Sequence, residues 1–149
     1  MENRRLNLLC AGILLFLAAL LVGLIVPLLP NPRMALTSHL VGLLGGLFLL
    51  ALGLLWREQK LPQQIEKATF WLALYGTYVN FSAALLAAIF STNRLTPQAG
   101  SGHRAAAWQE NIVTFGLVSE AGAMIACCVF LLWGLNRRRL DNNQQSVRK

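Results

Sequence analysis

Three groups of residues in this chain have types and spacings suited to chemistry, and all lie in long apolar stretches. His39 is followed by Gly42, Gly46 and Gly53. At about 100° per helical residue, these glycines fall within about 60° of the histidine. An imidazole above a strip without side chains can form a slot. The histidine would ligate a metal while a flat ring lies along the glycines, as a haem does beside its proximal histidine. The Gly42-xxx-Gly46 spacing serves close helix packing equally well. Tyr75, Tyr78 and Asn80 form the second group, with Thr77 and Ser82 beside them. Polar groups near a bilayer centre need partners, either a neighbouring helix or a small polar aromatic substrate. Glu120 is the third candidate, about 12 Å inside its apolar run by helical rise. A carboxyl there is protonated or paired, with His39 in the same half of the membrane as a candidate partner. A general acid/base role is open to it.

The elements that must position these groups are helices in a membrane. Hydrophobic residues make up 56% of the 149-residue chain and charged residues only 13%, against about 25% charged in a soluble domain. A bilayer core needs about 20 apolar residues per helix. Four runs qualify, at about 6–29, 35–56, 68–90 and 112–135. The fold class expected is an all-α membrane protein, a four-transmembrane-helix bundle occupying residues 1–140, with 141–149 as a polar cytoplasmic tail. The loops between sequential spans are short enough to make neighbours antiparallel. The first run is too long for a signal-peptide core and no small-x-small cleavage pattern follows it.

Basic residues set the orientation. With four spans both termini share a side, which carries Arg4, Arg5, Arg57, Lys60, Lys67, Arg137, Arg138, Arg139, Arg148 and Lys149. The other side carries Arg33, Arg94 and Arg104. Ten against three places both termini in the cytoplasm, N-in and C-in, in a bacterial inner membrane. Trp56, Trp71 and Trp133 fall near one interface and Trp108 near the other, as an aromatic belt requires. The net charge of +7 follows from this bias and points to the lipid bilayer as partner, with no nucleic acid. Cys10, Cys127 and Cys128 all lie in spans and make no disulfide or metal pattern. His103 and Glu110 read as solvated residues of an outer loop.

The segments Asn31-Pro-Arg-Met-Ala-Leu-Thr-Ser-His39-Leu, Phe70-Trp-Leu-Ala-Leu-Tyr-Gly-Thr-Tyr-Val-Asn80 and Ala107-Trp-Gln-Glu110 resemble the hydroxylaminobenzene mutase family. Met124-Ile125-Ala126 and Leu132-Trp-Gly-Leu135 fit the same pattern, so the resemblance spans all four helices. It implies a small integral membrane isomerase that moves a hydroxyl from nitrogen to the ortho carbon of an arene. The chain departs from the family pattern after the histidine, where a carboxylate and an amide give way to Val41 and Gly45. Glu120 stands where a small or apolar residue is usual. A weaker resemblance, through His39, Leu44 and Gly46, is to styrene oxide isomerase. It implies haem b on His39 and a homo-oligomer, a trimer.

Together these readings give an expected function: an intramolecular mutase converting a hydroxylaminoarene such as hydroxylaminobenzene to a 2-aminophenol. His39 would hold haem iron over Gly42 and Gly46. Tyr75, Tyr78, Asn80 and Glu120 would serve a small aromatic substrate. The alternative is a non-catalytic membrane protein, either an inactive relative or a helix-packing subunit. A transporter is disfavoured because no inverted repeat is visible.

Overall fold

The structure is a computed structural model and describes residues 2–95 and 105–147. His103 and Arg104 therefore lie outside the described residues. Four long helices occur, α1 (Glu2–Ile25), α2 (Pro32–Leu55), α3 (Gln63–Phe90) and α4 (Ala107–Val147). Among the described residues there is no strand. All four helices are long and apolar enough to cross a membrane.

The helix ends follow from local chemistry. Pro27 has no N–H to return to the preceding turn, so α1 closes at Ile25 and a short 3-10 turn, Val26–Leu28, follows. Asn31 starts α2, its side chain accepting a hydrogen bond from Met34 N–H at 3.1 Å while Pro32 occupies the first helical position. Ser91 ends α3 in the left-handed region at φ 54°, which costs a non-glycine residue about 1–2 kcal/mol. Glu110 helps to hold that turn. Its carboxylate accepts the backbone N–H groups of Asn93 at 2.9 Å and Arg94 at 3.2 Å. Glu110 is thus a latch between α3 and α4, where the sequence alone suggests a solvated loop residue. The helices overrun the apolar runs because charged side chains do not interrupt backbone hydrogen bonding. α4 continues through Arg137, Arg138 and Arg139 to Val147.

The helices pack in series: α1 on α2, α2 on α3, and α3 on α4. α1 and α4 share no interface of comparable extent, so the expected bundle is an open one. The reason lies on α1. Its small-residue face is consumed by α2, with Gly12 against Gly46 and Ala19 against Gly42. α3 is the central helix, with 44% of its most apolar stretch buried, against 11% for α4. At one end of the fold Arg4 pairs with Glu66 at 3.1 Å, Arg57 with Glu2, and Arg138 with Glu58. These pairs bring the start of α1 and the end of α4 to the same side.

The Gly12–Gly46 crossing has a measurable consequence. A Cβ at Gly46 would meet the Gly12 carbonyl oxygen at 2.8 Å and the Phe16 Cβ at 2.9 Å. Backbone cannot give way as a flexible side chain can. Gly46→Ala is therefore expected to destabilise the protein by about 1–3 kcal/mol. Gly122→Ala is the control, because nothing lies within 4 Å of that position. Denaturant titration in detergent micelles should show a lowered midpoint for the first and none for the second.

Candidate functional site

α2 and α4 both rest on α3 and leave a gap between them. The gap is a groove of about 250 Å³. Val41, Leu44, Gly45 and Phe48 of α2 form one wall, Gly76, Thr77 and Asn80 of α3 the floor, and Met124 of α4 the other side. The walls are aliphatic and aromatic. Thr77 is not free to act, because its hydroxyl returns to the carbonyls of Ala73 at 2.8 Å and Leu74 at 3.3 Å. Asn80 is different: its carboxamide has no hydrogen-bond partner among the described residues. The groove is thus an apolar slot with one uncommitted amide, the pattern expected of a small-molecule site.

Packing register brings a carboxyl to the same depth. Gly76 abuts Met124, and Gly116 abuts Ala83. These contacts fix the antiparallel pairing of α3 and α4 and put Glu120 level with Asn80 to within about one turn. Glu120 is one turn from Met124 on the same stripe of α4. It is half-buried, and its carboxyl has no partner among the described residues. On α2, Gly42 meets Phe81 and Gly45 meets Thr77, which puts Val41 at the level of Asn80 as well. The expected pairing of Glu120 with His39 does not occur.

His39 lies elsewhere. Its Nδ1–H donates to the Ala19 carbonyl at 2.7 Å, and its ring occupies the space that a side chain on Gly23 would fill. That bond fixes the tautomer and leaves the Nε2 lone pair uncommitted. On α2 the groove residues stand about 140–240° around the helix from His39. The histidine therefore sits at the α1–α2 edge, away from the groove.

Two expectations are corrected. Gly42 and Gly46 do not line an open slot for a flat ring, because α1 fills their face: Ala19 at Gly42, Gly12 and Phe16 at Gly46. Residue spacing shows which glycines share a face but not which helix covers them. Tyr75 and Tyr78 do not line the groove either. Tyr75 Oη lies 2.8 Å from Ser119 Oγ on α4, and Tyr78 Oη donates to the Ala11 carbonyl on α1 at 2.9 Å. Both hydroxyls tie helices together, as polar groups in an apolar medium must. Gly23 is not singled out in the sequence, and Gly76 and Met124 enter only within the resembling segments, with no role assigned. Their only signal is the small or flexible residue type at mid-span.

A membrane-spanning fold with an apolar slot and one uncommitted amide defines a class: a small integral membrane protein with a groove suited to a lipophilic small molecule. The comparisons with known proteins make it specific. The family model for styrene oxide isomerase matches residues 4–136, and the chain belongs to that family. It is 46% identical over 140 residues to hydroxylaminobenzene mutase HabB of Ectopseudomonas oleovorans, covering 91% of this chain and 85% of the relative. It is 43% identical over 128 residues to hydroxylaminobenzene mutase HabA of the same organism, covering 85% of this chain and 95% of the relative. The mutase resemblance read from the sequence is borne out, and the chain is an isomerase of the mutase type. No solved structure gives a significant match.

Proposed function

We propose that this protein converts a hydroxylaminoarene such as hydroxylaminobenzene to a 2-aminophenol within the groove. The observation that carries the reading is the uncommitted Asn80 amide in a largely apolar slot, with the unpartnered Glu120 carboxyl at the same level of α4, one turn from Met124 beside the groove. Asn80 orients the polar end of the substrate, and the aliphatic walls hold the ring. The protonated Glu120 carboxyl gives its proton to the hydroxylamine oxygen as the N–O bond breaks, releasing water and leaving an arylnitrenium ion. The walls keep bulk water out, so the released water is the one that adds at the ortho carbon. One proton returns to Glu120, and the ortho hydrogen passes to nitrogen as the ring regains aromaticity. Atoms and electrons balance with no external reductant or oxidant.

Membranes containing the protein should form 2-aminophenol from hydroxylaminobenzene without NAD(P)H or oxygen. In oxygen-labelled water the product should carry no label. Full incorporation would sink the intramolecular route, and no turnover above empty membranes would sink the activity.

Haem b and a homo-oligomer such as a trimer belong to the same proposal. Among the described residues no cluster of three metal-ligating side chains exists, but an axial haem bond asks for one imidazole. His39 fits that part: Nδ1 is held by a carbonyl, and Nε2 has no hydrogen-bond partner among the described residues. Gly42 and Gly46 do not form the seat. A haem iron on His39 would supply Lewis acidity toward the substrate oxygen. His39 and the groove occupy different sides of α2; we infer that in an oligomer the histidine of one copy would serve the groove of the next. Both termini lie in the cytoplasm of a bacterial inner membrane, a reading supported by the ten-to-three basic bias.

The histidine's orientation can be tested apart from its identity. A Cβ at Gly23 would fall 2.7 Å from His39 Nδ1 and 2.8 Å from Cε1. Gly23→Ala should turn the ring off the Ala19 carbonyl and lower turnover about 10- to 100-fold with little change in melting temperature. Unchanged turnover would show that this orientation does not matter.

A further inference from the structure

We propose that the Gly76–Met124 pair sets the size of aryl group the groove accepts, limiting the unaltered protein to single-ring substrates. The inference rests on the groove being the substrate site. Met124 is the one groove-lining residue contributed by α4, and its thioether lies in the notch left by Gly76. A Cβ at Gly76 would stand 2.5 Å from Met124 Sδ and 2.6 Å from Cγ. The methionine is therefore seated because position 76 has no side chain. Methionine is unbranched and adaptable, so its terminal atoms can be displaced without moving the helix.

Position along the groove gives the pair its role. Asn80 is one turn beyond Gly76 on the same face of α3, about 6 Å along the axis. A substrate whose hydroxylamino group bonds the Asn80 amide can therefore extend its ring toward Gly76 and Met124. The volume of about 250 Å³ falls below the usual range of about 300–1,000 Å³ for drug-sized ligands. A single ring suits it. A second fused ring would need the space that Met124 occupies.

Two substitutions should act in opposite directions. Met124→Ala removes the thioether and opens the end of the groove. It should raise the kcat/KM ratio of hydroxylaminonaphthalene to hydroxylaminobenzene by about tenfold or more, as added room for apolar groups does in other pockets. Gly76→Ala expels the methionine from its notch into the groove and should lower that ratio. General loosening of the α3–α4 contact would move both variants the same way. Should Met124→Ala fail to insert, Met124→Val lacks the same reach and carries the same expectation. Turnover of hydroxylaminobenzene by the unaltered protein tests the underlying activity separately. If turnover is present but the ratio is unchanged in the variants, the size selector is wrong and the activity stands. If there is no turnover, binding decides. Met124→Ala should tighten binding of fluorescent 1-aminonaphthalene relative to aniline by a similar factor, and equal binding overturns the proposal.

Discussion

Replacing Glu120 with glutamine is expected to lower turnover of hydroxylaminobenzene about 100- to 10,000-fold, the usual contribution of a positioned acid or base. The amide has almost the same shape as the carboxyl, so the groove keeps its dimensions. It cannot give up a proton to the hydroxylamine oxygen or take one back after the hydroxyl has moved. Insertion should be unaffected, because glutamine places no charge at that depth and an isolated charge there costs several kcal/mol. Glu120 forms no ion pair or hydrogen bond among the described residues, so no partner is orphaned by the change. The measurement is turnover by purified protein that elutes as the unaltered protein does in gel filtration. Full activity in Glu120→Gln would remove the carboxyl from the mechanism and leave Asn80 as the one uncommitted polar side chain among the groove's described residues.

Chains carrying His39→Ala and chains carrying Asn80→Ala, each inactive when alone, are expected to regain activity when co-expressed. The expectation follows from the placement of the two residues around α2. His39 sits at the edge shared with α1, bonded to Ala19, while the groove opens between α2 and α4. If a copy's histidine serves its neighbour's groove, a mixed ring contains junctions where an intact histidine meets an intact groove. Random mixing of equal amounts puts about one quarter of junctions in that state, whatever the number of copies. Recovery near a quarter of the unaltered activity is the expected reading. No recovery, with mixed assembly demonstrated by tandem tags, would place both functions within one chain or remove His39 from the reaction.

The four apolar runs and their antiparallel order were legible in the sequence because a bilayer imposes a length and a composition on anything that crosses it. The helix ends themselves were not read: α1 stops at Ile25 and α2 starts at Pro32, a few residues from the bounds of 29 and 35, because hydropathy marks apolar runs and not the turns that proline sets. The residues of the site divide in a different way. Asn80 and Glu120 could be singled out because uncompensated polar groups are rare in apolar runs. That they stand at one level depends on the register of α3 against α4. That register is set by Gly76 meeting Met124 and Ala83 meeting Gly116. The glycines after His39 were visible as a stripe, but a stripe serves a cofactor and a helix alike. Only packing shows that α1 fills it. Tyr75 and Tyr78 look like substrate contacts for the same reason, until the carbonyl of Ala11 and the hydroxyl of Ser119 come within reach. Sequence by itself determined which groups need a partner in an apolar medium. Tertiary structure decided which of them found one in the protein and which did not, because helix register alone brings two distant groups within hydrogen-bonding reach.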